Sequence, residues 1–128
     1  MSHLSLVSIV VREYDEAVRF YVDALGFVLV EDSPLGENKR WVVVSPRGDG
    51  GCALLLARAA TEAQRARVGD QTGGRVGFFL DTEDFAVDHD RMQSAGVRFV
   101  EGPRQEAYGT VAVFEDLYGN RWDLVERQ

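Results

Sequence analysis

The feature that most constrains this chain is that its second half repeats its first. At an offset of 69 residues, Val7, Asp15, Ala17 and Val18 fall on Val76, Asp84, Ala86 and Val87. After a one-residue slip inside a helical stretch, Gly26, Val30 and Glu31 fall on Gly96, Val100 and Glu101. The offset then returns to 69, and Val42, Val44, Gly50, Leu55 and Arg58 fall on Val111, Val113, Gly119, Leu124 and Arg127. The matches sit at helix starts, helix stops and hairpin glycines, which are the positions that set element boundaries. Any two units of the same element order share some of this, so the matched boundaries carry the argument for duplication. Two long copies do not make a solenoid, and paired modules fit better.

The elements of each copy follow from local pattern. Leu4 to Arg12 is rich in β-branched residues and reads as a strand. Asp15 is a candidate N-cap, and Val18, Tyr21, Val22 and Leu25 follow at helical spacing until Gly26 stops the helix. Strands are expected at Phe27 to Glu31, Arg40 to Ser45 and Cys52 to Ala57, separated by turns at Ser33 to Asn38 and Pro46 to Gly51. In the second copy, Arg75 to Asp81 is a strand, and Asp84 caps a helix over Phe85 to Ala95 that Gly96 ends. Strands at Val97 to Glu101, Gly109 to Glu115 and Arg121 to Glu126 complete it. The reading is an α+β chain of two βαβββ modules, 1–57 and 75–128, joined by a linker over 58–74. Ala59 to Val68 has room for a helical turn or two, and Gly69 to Gly74 is expected to be flexible.

Composition narrows the function classes. The 128 residues carry 14 Lys and Arg against 21 Asp and Glu, a net charge of −7, which argues against general nucleic-acid binding. No apolar run is long enough to span a membrane and no secretory signal is evident. The single cysteine, Cys52, excludes an internal disulfide and fits a reducing, cytoplasmic compartment.

Two stretches go further. Arg12 to Phe27 (REYDEAVRFYVDALGF) and Val113 to Glu126 (VFEDLYGNRWDLVE) resemble the vicinal oxygen chelate superfamily, which includes glyoxalase I, extradiol dioxygenases, and fosfomycin- and bleomycin-resistance proteins. The resemblance spans about residues 4–126. It implies the glyoxalase/bleomycin-resistance/dioxygenase fold, in which two βαβββ modules form a cupped mixed sheet. It also implies a homodimer whose modules pair within one chain or exchange between two. The fold hosts many chemistries, so the reaction must be argued from the site.

In metal-dependent relatives the ligands come from the first and last strands of each module, on the concave face. Carried onto this chain, the first position lies seven residues before Glu13, at Leu6, and its counterpart is Arg75. The last follows the Gly119-Asn120 turn, at Asp123, and its counterpart is Leu54. Two aliphatic residues, a permanent cation and one carboxylate do not make a transition-metal site. No metal and no cofactor is therefore expected. His3 has the opposite parity to Leu6 and lies near a terminus, His89 lies on or beside the packing face of its helix, and Cys52 reads as a small apolar residue.

The resemblance brings Arg75 and Asp123 to one place, so an ion pair is expected there, with the Asp123 pKa lowered by the cation. Either this pair simply takes the place of a metal, or Arg75 binds an anionic group that Asp123 orients. Parity adds Phe79 to the lining beside Arg75, while Phe78 and Trp122 are expected under the helices. Trp41 and Tyr108 join the ligand-binding set, Leu6, Leu54, Arg75, Phe79 and Asp123, by resemblance alone. The expected function is metal-independent binding of a small organic molecule in the cup between modules, as in bleomycin resistance. The alternative is an enzyme with an atypical site, lactoylglutathione-lyase-like, dioxygenase-like, or a metal-free isomerase or lyase. A structural module that binds a partner protein is a third reading.

Overall fold

Runs of β-branched and aliphatic residues broken at glycines give eight strands in a computed structural model of the chain, which describes residues 1–47 and 50–128. Gly48 and Asp49, the centre of the expected Pro46 to Gly51 turn, lie outside the described residues. The fold is α+β and divides into two units, Met1–Val68 and Gly69–Gln128.

The first unit runs β1 (Leu6–Val11), α1 (Tyr14–Arg19), β2 (Val28–Gly36), β3 (Lys39–Ser45), β4 (Ala53–Arg58) and a short α2 (Glu62–Arg65). After Arg19 the helix widens into a π-helical segment, Phe20–Ala24, before Gly26 at φ +80° ends it. The sheet order is β1-β4-β3-β2, with β1 and β4 parallel and the other neighbours antiparallel. The second unit repeats this as β5 (Val76–Asp81), α3 (Phe85–Ser94), β6 (Arg98–Glu106), β7 (Gly109–Glu115) and β8 (Arg121–Arg127). Its order is β5-β8-β7-β6, with β5 and β8 parallel.

Several local expectations need correction. Glu13, not Asp15, holds the N-cap position of α1, and it does so without a side-chain bond. Asp15 instead accepts from Arg40 Nη1 at 2.8 Å. The second cap is as expected, with the Asp84 carboxylate accepting from Val87 N at 3.2 Å. Ser33 to Gly36, read as a turn, belongs to β2. The strand lies at a sheet edge, where Pro34 costs no ladder bond facing solvent. The turn tightens to Glu37 and Asn38, the latter at φ +62°.

Gly69 to Gly74, expected to be flexible, is anchored. The amide of Gln71 donates to Asn120 Oδ1 at 3.1 Å, and the Thr72 hydroxyl donates to the Arg75 carbonyl at 2.5 Å. Gly69, at φ +76°, lies so close to Tyr118 that a Cβ there would stand 1.9 Å from its carbonyl oxygen.

The turn between β7 and β8 is built on one buried carboxylate. Asp116 Oδ1 accepts from the amides of Tyr118, Gly119 and Asn120 at 3.0 to 3.1 Å. Its Oδ2 accepts from Asn120 Nδ2 at 2.9 Å and from the Trp122 indole at 3.4 Å. A buried charge is tolerated when it is hydrogen-bonded on all sides, and here it sets the register in which β8 begins.

Candidate functional site

Which residues face a ligand depends on which side of each sheet its helix covers. In the first unit, Arg40 and Arg58 lie 5.0 and 5.2 Å from the ring centroid of Tyr14 in α1. Both therefore stand on the helix side. Alternation along the strands puts Val42, Val44, Leu54 and Leu56 on that side, and all four are buried. Pairing adds Val7 opposite Leu54 and Ile9 opposite Leu56. The opposite face carries Leu6, Ser8, Val10, Leu55, Ala57 and Trp41.

Leu54 is thus a core residue under α1, not a lining residue. Its neighbour Leu55, paired with Ser8 and Val43, takes the position on the open face. A one-residue error in the offset turned the side chain through the sheet. Leu6 does stand on the open face, where it pairs with Ala53. Trp41 is half-buried and lines a hollow of about 300 Å³ at the sheet's end that takes residues from both faces, Leu55 and Ala57 from the open one and Tyr14, Arg40 and Leu56 from the helix side.

In the second unit a continuous run of rings marks the helix side. Phe85 and His89 of α3 stack at 5.3 Å, and His89 meets Phe99 at 4.3 Å. Phe99 meets Phe114, Phe114 meets Trp122, and Trp122 stacks on Phe78 at 4.6 Å. Phe78 and Trp122 are under the helix as expected, and His89 is one ring of this stack. The other face carries Phe79 and Asp123 side by side, with Val113 on the far side of Asp123. Phe79 is 61% exposed.

The expected Arg75–Asp123 pair does not form. Arg75 lies just before β5, four residues from Phe79, the residue that pairs with Asp123. That is about 13 Å along an extended chain. Between them Gly77 is an extra residue, since Val76 pairs with Arg121 while Phe78 pairs with Trp122. The bulge reverses the parity of everything before it, so Arg75 no longer shares a face with Phe79. A Cβ here would stand 2.5 Å from the Thr72 methyl, so any other residue would force that side chain to move.

The charges that act on Asp123 come from elsewhere. Burial, the largest influence, raises its pKa, Arg104 and Arg127 lower it, and Glu101 raises it. The net direction is upward, the reverse of the expectation. Arg104 and Glu101 come from β6, which runs on to Glu106 instead of stopping at the expected Glu101 and is separated from β8 by β7. Tyr108, 46% exposed, sits in the turn between β6 and β7, where its carbonyl accepts from the Gln128 amide at 3.1 Å. His3 is exposed ahead of β1, and Cys52 is exposed ahead of β4.

With Leu55 in place of Leu54, the positions carried over from metal-dependent relatives are Leu6, Leu55, Arg75 and Asp123. One carboxylate is the only donor, so the set does not fit a metal ion. Among the described residues, no three of His, Cys, Asp and Glu gather closely enough to hold one. No helix among them is long and apolar enough to cross a membrane.

Comparison with known proteins gives concordant results. A family model described as the Glyoxalase/Bleomycin resistance protein/Dioxygenase superfamily matches residues 2–124. An uncharacterized protein of Shewanella frigidimarina (strain NCIMB 400) is 55% identical over 121 residues, covering 94% of this chain and 90% of its own. The crystal structure of UcmS2 superposes with a TM-score of 0.85 at 31% identity, covering 98% of both chains. TnmS3, an antibiotic binding protein from Streptomyces sp. CB03234, gives 0.80 at 32% identity, over 100% of this chain and 98% of its own.

Proposed function

Because the chain belongs to the Glyoxalase/Bleomycin resistance protein/Dioxygenase superfamily, we propose that it binds a small organic molecule without a metal ion. The binding surface is the face that each sheet turns away from its helix. The observation that carries this reading is the exchange of a metal donor set for apolar side chains. Leu6, Val10, Leu55, Ala57 and Trp41 cover one face, and Phe79 stands exposed on the other. Apolar walls with a few convergent polar groups suit an organic ligand, and Asp123 supplies a polar group here. The likeness to an antibiotic binding protein supports the same reading. Arg75, turned off the face of Phe79 and Asp123 by the Gly77 bulge, is left out of this surface.

Binding of this kind uses apolar contact for affinity and few charges for orientation. An aromatic ligand would stack on Phe79 or Trp41 while Asp123 accepts one of its hydrogen bonds. The net charge of −7 favours approach of a cationic ligand. Val28, Leu29 and Val30, exposed on edge strand β2, support pairing with a second copy. The unpaired Cys52 supports a reducing compartment.

One observation favours a second reading, a metal-free isomerase or lyase. A carboxylate whose pKa is raised by burial is a better proton acceptor, which suits Asp123 as a general base. Equilibrium dialysis against a panel of aromatic antibiotics, bleomycin among them, tests the binding reading. The protein should bind at least one stoichiometrically and release it unchanged, and Leu55→Glu and Phe79→Asp should each weaken binding about tenfold or more. Binding indifferent to both substitutions would sink the assignment of these faces, and a chemically altered ligand would favour the enzyme.

A further inference from the structure

The two parallel strand pairs end in opposite electrostatic settings. In the second unit, β5 ends at Asp81 and β8 at Arg127, and these two form an ion pair at 3.3 Å. Glu126 beside them accepts from the Phe85 amide at 2.7 Å. That end carries two carboxylates to one arginine. In the first unit the same end of the parallel pair carries cations. Arg12 follows β1, Arg58 closes β4, and Arg65 ends α2.

These three arginines line one hollow of about 480 Å³ with Glu13, Ala59 and Val68. The one carboxylate in that lining is Glu13, which approaches Arg58 at 3.8 Å. Arg12 also reaches out to Glu16 at 3.0 Å. Arg65 has no carboxylate within ion-pair distance among the described residues. Like charges gathered at one mouth repel, and in a chain of net charge −7 their concentration at one point stands out. An oxyanion seated between them would relieve that repulsion, since guanidinium forks match the geometry of phosphate oxygens.

We infer that this hollow is a binding site for a dianionic phosphate group, separate from the sheet faces described above. Arg12, Arg58 and Arg65 are the donors. Ala59 and Val68 form an apolar wall that would hold the organic part of a phosphate ester. Arg58 is kept in place by the Tyr14 ring and by its bond to the Asn38 carbonyl, so one donor is preorganised. Arg65 is an exposed donor, on a four-residue helix at the surface.

The test is calorimetric titration of the whole chain with inorganic phosphate and with phenyl phosphate, at constant ionic strength set by chloride. Saturable one-to-one binding is expected for both, tighter for phenyl phosphate if the apolar wall is used. Arg65→Ala and Arg12→Ala should each weaken binding about tenfold, and Arg65→Glu should abolish it. Arg98→Ala, at a side chain 78% exposed on β6, should leave binding unchanged. Circular dichroism of the variants checks that they fold. Arg65 packs nothing buried, so Arg65→Ala keeps the test decisive should Arg12→Ala fail. Absence of saturable binding would overturn the inference. So would binding that chloride competes away entirely, or that Arg98→Ala weakens as much as Arg65→Ala does.

Discussion

Replacing Asp116 with alanine should destabilise the chain more than almost any other polar substitution. The side chain is 5% exposed and accepts four hydrogen bonds of 3.1 Å or shorter, plus a longer one from Trp122. Bonds to an ionised acceptor contribute about 1.5–3 kcal/mol each, but water entering the gap would restore some of them. A net loss of about 4 kcal/mol is expected. At about 2.1 cal/mol/K of unfolding entropy per residue, that loss lowers Tm by about 15 °C. Asp116→Asn keeps an acceptor for the three amides but presents a donor to Asn120 and Trp122, so it should fall between the two. The damage should also reach Gln71, whose amide bonds Asn120 Oδ1. Urea unfolding followed by tryptophan fluorescence measures the first effect, and hydrogen exchange at the Gln71 amide measures the second. A loss under about 1 kcal/mol for Asp116→Ala, or unchanged protection at Gln71, would refute the role given to this carboxylate.

Three further predictions follow from packing and charge. Leu54→Glu should cost about 4 kcal/mol or more by burying a carboxylate under α1, while Leu55→Glu should cost far less, and denaturant midpoints decide between the two facings. Gly69→Ala should lower Tm, because its Cβ would meet the Tyr118 carbonyl and its φ of +76° disfavours any other residue. Burial raises the Asp123 pKa above 3.8, so between that value and the raised one the folded chain binds more protons than the unfolded chain. Stability therefore falls as pH rises through that window, and Asp123→Asn should remove this dependence and be more stable at pH 7. Thermal melts across pH 3 to 7 would show it.

The framework was legible in the sequence because its signals are local. Gly26 and Gly96 end their helices at positive φ, Asp84 caps α3, and β7 spans Gly109–Glu115 as expected. The site was less legible because it depends on register. A single extra residue at Gly77 turned Arg75 away from Asp123, and a one-residue slip exchanged Leu54 for Leu55. Neither leaves a trace in composition or periodicity, although a glycine inside a strand is itself a bulge signal. Ser33 and Pro34 read as a turn because their types favour one, but β2 is an edge strand and accepts them. The influence of Arg104 and Glu101 on Asp123 arises across the sheet, where pairing rather than sequence distance brings them together.

The central claim is that this chain binds an organic molecule by its apolar sheet faces with no metal in the site. The most direct measurement is a titration of the best ligand from the antibiotic panel into chelator-treated protein, repeated after adding Zn²⁺, Ni²⁺, Mn²⁺ or Fe²⁺. The account predicts the same stoichiometric affinity in both states, and no tightly held metal by elemental analysis. Binding that appears only with a stoichiometric metal ion would contradict it.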